Sequence, residues 1–514
     1  MPAKVLSATV VGMSAMPVEV EVDASLGLPR VSIVGLADTA VQESKERVRS
    51  GIENSEYEFP LKRIVVNMAP ANIRKEGPVF DLPIALGVLA VTGQVPAERF
   101  GDYLIAGELS LTGEIRRING ALLLAICAKA QGKRGVVLPA ESAREASIID
   151  GIDIIPVANL NEVVDFFAGR AVIEPVRYRA EVSDAGEFEP DFADVKGQEH
   201  IKRALEVAAA GGHNILLIGP PGSGKTMLAS RLPSILPLLS LDEAIEVTKV
   251  YSVAGMLSPE QSLITTRPFR EPHHTISNAG LIGGGSYPRP GEVSLSHNGV
   301  LFLDEFPEFS KGVLQVLRQP LEEGKVTISR ASGSLTYPAQ FTLVAAMNPC
   351  PCGHLGDRAK QCICGPHRVQ QYRGRISGPL LDRIDIHIEV PRLSKDELMR
   401  SSDGETSSRI KRRIDSARAV QGERFQTINS NGNGRLLVNN SHMKAREVKR
   451  FCVLTPEATS FLEASVDKLG LSGRAFERVL KVSRTIADLS GSERIEIEHV
   501  AEAVQYRALD RKYI

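Results

Sequence analysis

Tryptophan is absent from this chain of 514 residues, and Phe and Tyr bring the aromatic fraction to only 5%. A binding surface built from many stacked rings is therefore not expected. No apolar run approaches the roughly 20 residues that a bilayer-spanning helix needs; a stretch such as Ala121–Ala128 falls far short. The opening MPAKVLSATVVGMSAM lacks the basic-then-apolar order of a secretory signal. Neither sign of charge prevails: 61 Lys and Arg face 62 Asp and Glu, for a net charge of -1. That excludes a globally basic nucleic-acid coat, and a hydrophobic fraction of 43% excludes a disordered chain. Cysteine is sparse too. Six in such a length make no disulfide scaffold, and a reduced, cytoplasmic protein is expected.

At roughly 150 residues per domain the length suggests about three units. Residues 1–172 alternate short β-rich runs (18–22, 31–34, 64–67, 136–138, 154–157) with helical patterns at 40–54 and 120–131, a mixed α/β domain. Residues 173–190 are polar and aperiodic and read as a linker. Residues 191–391 open with an amphipathic helix, then a strand, a Gly-rich turn and another helix, the unit of a parallel α/β sheet. Residues 392–514 are helical. Their first part, Arg392 to Arg450, carries 14 Lys and Arg against 7 Asp and Glu, a basic arm that contacts DNA or simply forms a solvated helix. Within it, 429–440 reads as an exposed excursion.

The strongest chemical signal is Gly219, Pro220, Pro221, Gly222, Ser223, Gly224, Lys225 and Thr226, directly after the apolar run 215–218. Glycines let the backbone wrap phosphates with its N–H groups turned inward, at the start of a helix. Lys225 would reach the β and γ phosphates, and the Thr226 hydroxyl would ligate Mg²⁺. A second buried run, 300–303, ends in Asp304 and Glu305, where ligands gather in parallel sheets. Asp304 suits the Mg²⁺ shell and Glu305 suits polarising a water. A third run, 341–347, ends in Asn348, which orients that water, contacts the γ phosphate, or merely turns the chain before Pro349. Arg383, in LLDRID, is either a guanidinium for a neighbouring subunit's nucleotide or a surface ion-pair partner. Arg474 opens a C-terminal helix and either reaches the phosphates from a lid or pairs locally.

Cys350, Cys352, Cys362 and Cys364 have the spacing C-x-C-x₉-C-x-C. Four thiolates would hold a structural Zn²⁺ with no open position, although C-x-C is tighter than the usual gap and His354 or His367 are alternative ligands. Free thiols or a redox disulfide are the other readings. Two inserts are candidate channel elements: the Gly- and His-rich 268–285, and 324–337, whose alternation reads as a hairpin. Lys325 and Arg330 in the hairpin are DNA-contact candidates, with ordinary solvated charges as the alternative.

This order of parts resembles an AAA+ ATPase. The stretches VGMSAMPVEVEVDASLGLPRVSIVGLAD, REPHHTISNAGLIGG, NPCPCG and RISGPLLDRIDIHIEV resemble, more specifically, the ComM/YifB family of magnesium-chelatase-like AAA+ proteins over nearly the whole chain. The resemblance implies an α/β AAA+ P-loop core with a helical C-terminal lid, preceded by an N-terminal Lon-protease-like, ribosomal-S5-like α+β domain. It implies ATP and Mg²⁺ as cofactors, Asn348 as sensor 1, Arg383 as arginine finger and Arg474 as sensor 2. It also implies a homo-hexameric ring acting on single-stranded or branched DNA, in branch migration during recombination and natural transformation, with recombination or DNA-uptake proteins as partners. Alignment to the Lon pattern puts Val79 and Leu122 where the catalytic Ser and Lys would be. Neither aliphatic chain can attack a carbonyl or carry a proton. The motor of a metal-chelatase complex, a protein remodeller and a non-hydrolytic nucleotide-gated scaffold are the competing readings.

Overall fold

The computed structural model describes residues 2–178, 190–258, 260–285, 288–330, 333–357, 360–393, 404–430 and 437–507. Most of the expected linker, and the middle of the 429–440 excursion, lie outside them. The chain divides into two compact units that are not continuous in sequence. One comprises Met1–Val182 with Leu241–Ile264 and Ser329–Tyr337, the other Ser183–Ser240, Thr265–Ile328 and Pro338–Ile514.

In the first unit the strands Ala3–Val11, Ser14–Ser25, Arg63–Ala69 and Arg30–Val34 form one sheet in that order, antiparallel except for the last pair. Strict alternation drives it: Val18, Val20 and Val22 are fully buried while Glu19 and Glu21 face outward to Lys4. The strand Ala3–Val11 was not anticipated, because its apolar and small residues do not alternate cleanly. A second sheet is all parallel, from Tyr103–Ile105, Gly135–Pro139 and Asp153–Val157. The helix Thr39–Asn54 starts where the Asp38 carboxylate accepts the Val41 N–H at 2.8 Å. Val79 is half-buried and Leu122 fully buried.

The second unit is built on five parallel strands in the order Phe269–Arg270, Val300–Leu303, Thr342–Met347, Ile215–Ile218 and Ile386–Glu389. The central strands are buried on both faces, which is why they read as unbroken apolar runs. The helices Ser407–Ser430, Pro456–Leu469, Gly473–Ser490 and Ile497–Gln505 follow. Gly470 ends the second of these in the left-handed conformation, and Ser472 caps the third. No helix among the described residues is long and apolar enough to cross a membrane.

Three guanidiniums of the basic arm bind other parts of the fold, while Arg409, Arg412, Lys444, Arg446, Lys449 and Arg450 are exposed. Arg413 pairs with Glu206 at 2.5 Å and with Glu405, Arg418 donates to the Ala209 carbonyl, and Arg424 pairs with the buried Asp488. These guanidiniums bind helices together.

Asp385, directly before the strand Ile386–Glu389, is buried and held by several partners. It accepts the Asn214 N–H at 3.0 Å, pairs with Arg478 and lies 3.6 Å from His213. Burial alone would raise this carboxyl, but Arg478 and His213 hold it well below the usual carboxylate range. A group depressed on folding stabilises above its unfolded pKa, and the gain is lost as pH falls toward the folded value. Asp385→Ala should therefore cost about 3–5 kcal/mol at neutral pH, and the gap to wild type should narrow below pH about 4. Urea unfolding followed by far-ultraviolet circular dichroism at both pH values checks this; a gap independent of pH would refute it.

Candidate active site

Parallel strands place their C-terminal ends along one edge of the sheet, and the crevice there is the natural ligand site. The strands Ile215–Ile218, Val300–Leu303 and Thr342–Met347 lead respectively into the 219–226 turn, Asp304–Glu305 and Asn348. These three stretches converge on an open cleft of about 730 Å³, lined by Pro221 to Met227, Glu271 to His274, Asp304, Glu305, Met347 and Asn348.

The turn requires its glycines at two points, Gly222 and Gly224, whose φ values are 75° and 89°. Lys225 is buried, and its Nζ donates to the carbonyls of Gly219 at 2.8 Å and Pro220 at 3.1 Å and to Asn348 Oδ1 at 3.3 Å. Burial lowers its pKa, against the opposing pull of Asp304 and Glu305. Thr226 Oγ1 donates to Asp304 Oδ2 at 2.7 Å, which brings a hydroxyl and a carboxylate from the two principal motifs together. Both are hard oxygen donors of the kind Mg²⁺ takes. Glu271 stands close by; burial raises its carboxyl, and the charge of Asp304 raises it further. Three acidic groups around one cleft suit a cation.

Glu305 adopts the left-handed conformation, φ 51° and ψ 43°, which for a residue with a side chain costs of order 1–3 kcal/mol. Its N–H donates to Asp304 Oδ1 at 2.8 Å. Glu305 Oε2 lies 3.3 Å from His274 Nδ1. The His274 ring is held in turn by His273, 4.1 Å away between centroids, and by the edge of Phe309. Sequence reasoning missed this wall. The first part of the candidate channel insert 268–285 lines the cleft. The signal was the run EPHHT beside a predicted carboxylate strand, but nothing local says which strand end it would face. Gln198 was missed as well: its amide donates to the carbonyls of Ser223 at 3.0 Å and Pro391 at 3.2 Å, pinning the turn from behind.

Arg383 and Arg474 are not in this cleft. Arg383 precedes the strand Ile386–Glu389 at its N-terminal end, where the Arg383 carbonyl accepts from Asn214 Nδ2 at 3.0 Å. Asn214 likewise precedes Ile215, so Arg383 sits at the opposite edge of the sheet from the turn, about 13 Å away along a four-residue strand. The guanidinium donates to the Pro379 carbonyl at 2.6 Å and pairs with Glu322. The hydrogen bond from Arg383 lowers the Glu322 carboxyl, and Arg474 and Arg478 add to the effect. Arg474, read as reaching the phosphates from a lid or as pairing locally, adds its charge to the field at Glu322 alongside Arg383.

Lys325 is exposed on the strand Lys325–Arg330, which pairs with Gly333–Pro338 as the expected hairpin. The side chain of Arg330 lies outside the described residues. The four cysteines come together with all Sγ atoms within 4.8 Å, at 3.4 Å for Cys350–Cys352 and 3.7 Å for Cys350–Cys362 and Cys352–Cys362. His354 turns instead to Asp357, 3.2 Å away.

Three family descriptions match the chain: "Magnesium chelatase, subunit ChlI" over residues 191–398, "Subunit ChlI of Mg-chelatase" over 20–142, and "Magnesium chelatase, subunit ChlI C-terminal" over 404–507. The chain is 43% identical to the uncharacterized protein YifB of Escherichia coli, over 98% of this chain and 96% of that one. It is 44% identical to the competence protein ComM of Haemophilus influenzae, over 99% and 98% respectively. The magnesium-chelatase 38 kDa subunit of Rhodobacter capsulatus is 26% identical over 31% of this chain and half of its own length. With near-complete coverage at such identity, the chain belongs to the ComM/YifB family of magnesium-chelatase-like AAA+ ATPases.

Proposed function

We propose that the chain is the subunit of a ring motor that hydrolyses ATP and spends the energy on remodelling DNA, through branch migration or strand separation. The observation that carries the ATPase reading is the Thr226–Asp304 contact at 2.7 Å with Lys225 and Glu305 around one cleft. In this reading the 219–226 turn holds the triphosphate, and Lys225 exchanges its carbonyl partners for β- and γ-phosphate oxygens. Thr226 and Asp304 would hold Mg²⁺, which when bound neutralises charge on those oxygens. Glu305, oriented by His274, takes the proton of the water that attacks the γ phosphorus, and Asn348 fixes that water's position. Arg383 and Arg474, which do not line the cleft of their own chain, serve the nucleotide of the next subunit, which makes assembly part of catalysis. A homo-hexamer is the assembly proposed.

The N-terminal domain is proposed to be a binding or assembly platform of Lon-like fold, since Val79 and Leu122 offer neither a nucleophile nor a base. Support for DNA as cargo comes from the competence protein among the relatives and from the exposed Lys325 on its hairpin. Steady-state ATP hydrolysis with single-stranded, double-stranded and four-way-junction DNA, each over a salt series, tests the proposal. Turnover should rise with DNA, most with the junction, and the rise should fade as salt increases because phosphate contacts release counterions. Turnover indifferent to every DNA at low salt refutes the cargo. Stimulation by unfolded protein, or only by a porphyrin-binding partner, would assign the motor to remodelling or chelation.

A further inference from the structure

The four-cysteine cluster stands beside the nucleotide cleft rather than apart from it. Cys350 follows Asn348 by two residues. Zn²⁺ bound at about 2.3 Å by four thiolates sets the sulfur atoms about 3.8 Å apart, the edge of a tetrahedron. The separations of 3.4 to 3.7 Å among Cys350, Cys352 and Cys362 approach that edge and are far longer than the roughly 2.05 Å of a disulfide, and Cys364 lies within 4.8 Å of the others. Among the described residues the group consists of four cysteines, enough to fill a tetrahedral zinc shell as a closed, structural set.

This loop touches the lip of the cleft at Pro221 in two ways. Gly353, at φ 80°, lies so close that a Cβ there would come within 2.5 Å of the proline Cδ. Arg392 Nη2 donates to the Pro221 carbonyl at 3.1 Å, and its Nε lies 3.6 Å from Asp357, a buried carboxylate that His354 also contacts at 3.2 Å. Arg373 Nε donates to the Pro349 carbonyl at 3.2 Å. The sulfur cluster is therefore the knot from which two supports run to the phosphate-binding turn.

We propose that Cys350, Cys352, Cys362 and Cys364 bind one Zn²⁺, releasing their thiol protons to solvent, and that this clasp holds Pro221 so that zinc occupancy sets nucleotide affinity. The coupling rests on the reading of the cleft as a nucleotide site; the metal site does not.

The test uses the full chain. Elemental analysis should find one zinc per chain, and a thiol-specific mercurial should release it to a chromogenic indicator. Binding of a fluorescent ATP analogue, measured on the same sample, should then weaken about tenfold and recover when thiol and Zn²⁺ are restored. Gly353→Ala supplies a second arm: zinc stays at one per chain, while nucleotide binding weakens to a similar degree. Circular dichroism of each sample confirms that the fold persists. Protein made in zinc-rich medium that neither carries nor takes up zinc overturns the site. Zinc that leaves without change in nucleotide affinity, with Gly353→Ala equally silent, overturns the coupling. A zinc-loaded chain that binds no nucleotide overturns the reading of the cleft, and the coupling with it, while the metal count stands.

Discussion

Arg383→Ala should reduce ATP turnover by about 10³-fold or more while leaving nucleotide affinity close to wild type. The expectation follows from where the residue lies. Its guanidinium is on the edge of the sheet away from its own 219–226 turn, held by Glu322 and the Pro379 carbonyl, so its loss removes nothing from the cleft of the same chain. Mixing makes the test decisive. A Lys225→Ala subunit has a disabled cleft but an intact Arg383, and an Arg383→Ala subunit has the reverse. Combined, they should recover part of the turnover that neither shows alone. Absence of recovery at every mixing ratio, with both proteins folded and associating, would defeat action across a subunit boundary. A loss of nucleotide affinity in Arg383→Ala alone would place the residue in its own site.

Glu305→Gln should bind ATP normally and turn it over about 10²–10⁴-fold more slowly. Glutamine preserves the size of the side chain and an oxygen for His274, but it cannot take a proton. Asp304 keeps its contacts with Thr226 and with the backbone N–H of residue 305, so the grip on the triphosphate should survive. Single-turnover hydrolysis, with equilibrium binding of ATP on the same preparation, separates the two effects. Wild-type hydrolysis in this variant would remove Glu305 from the role of base, and weakened binding without slowed chemistry would make it a binding group.

The parts of the site legible in the sequence are those whose chemistry is confined to one strand and the turn that follows it. A phosphate-wrapping turn needs glycine at fixed offsets, and a strand buried on both faces must be apolar to its last residue. Lys225, Thr226, Asp304, Glu305 and Asn348 could therefore be named and then found around one cleft. The residues that escaped notice act across long sequence distances. His274 meets Glu305 because two strand ends are adjacent in the sheet, Gln198 reaches the turn from the preceding helix, and Glu322 collects guanidiniums from two separate segments. Local charge is legible only in part for a related reason. Most described Lys and Arg between 392 and 450 are exposed, but Arg413 and Arg424 are matched by Glu206 and Asp488, each distant in sequence. A local count cannot see a partner supplied by another helix.

The opposed placement of the 219–226 turn and Arg383 at the two ends of one parallel sheet gives the protomer a polarity. If the two ends meet between molecules, the contact joins unlike surfaces, head to tail, and has no two-fold axis. A pair would leave one catalytic centre complete and one unfinished, so each further copy has an end to extend. Growth of that kind halts only when rotation brings the last copy back to the first, and otherwise continues as a filament.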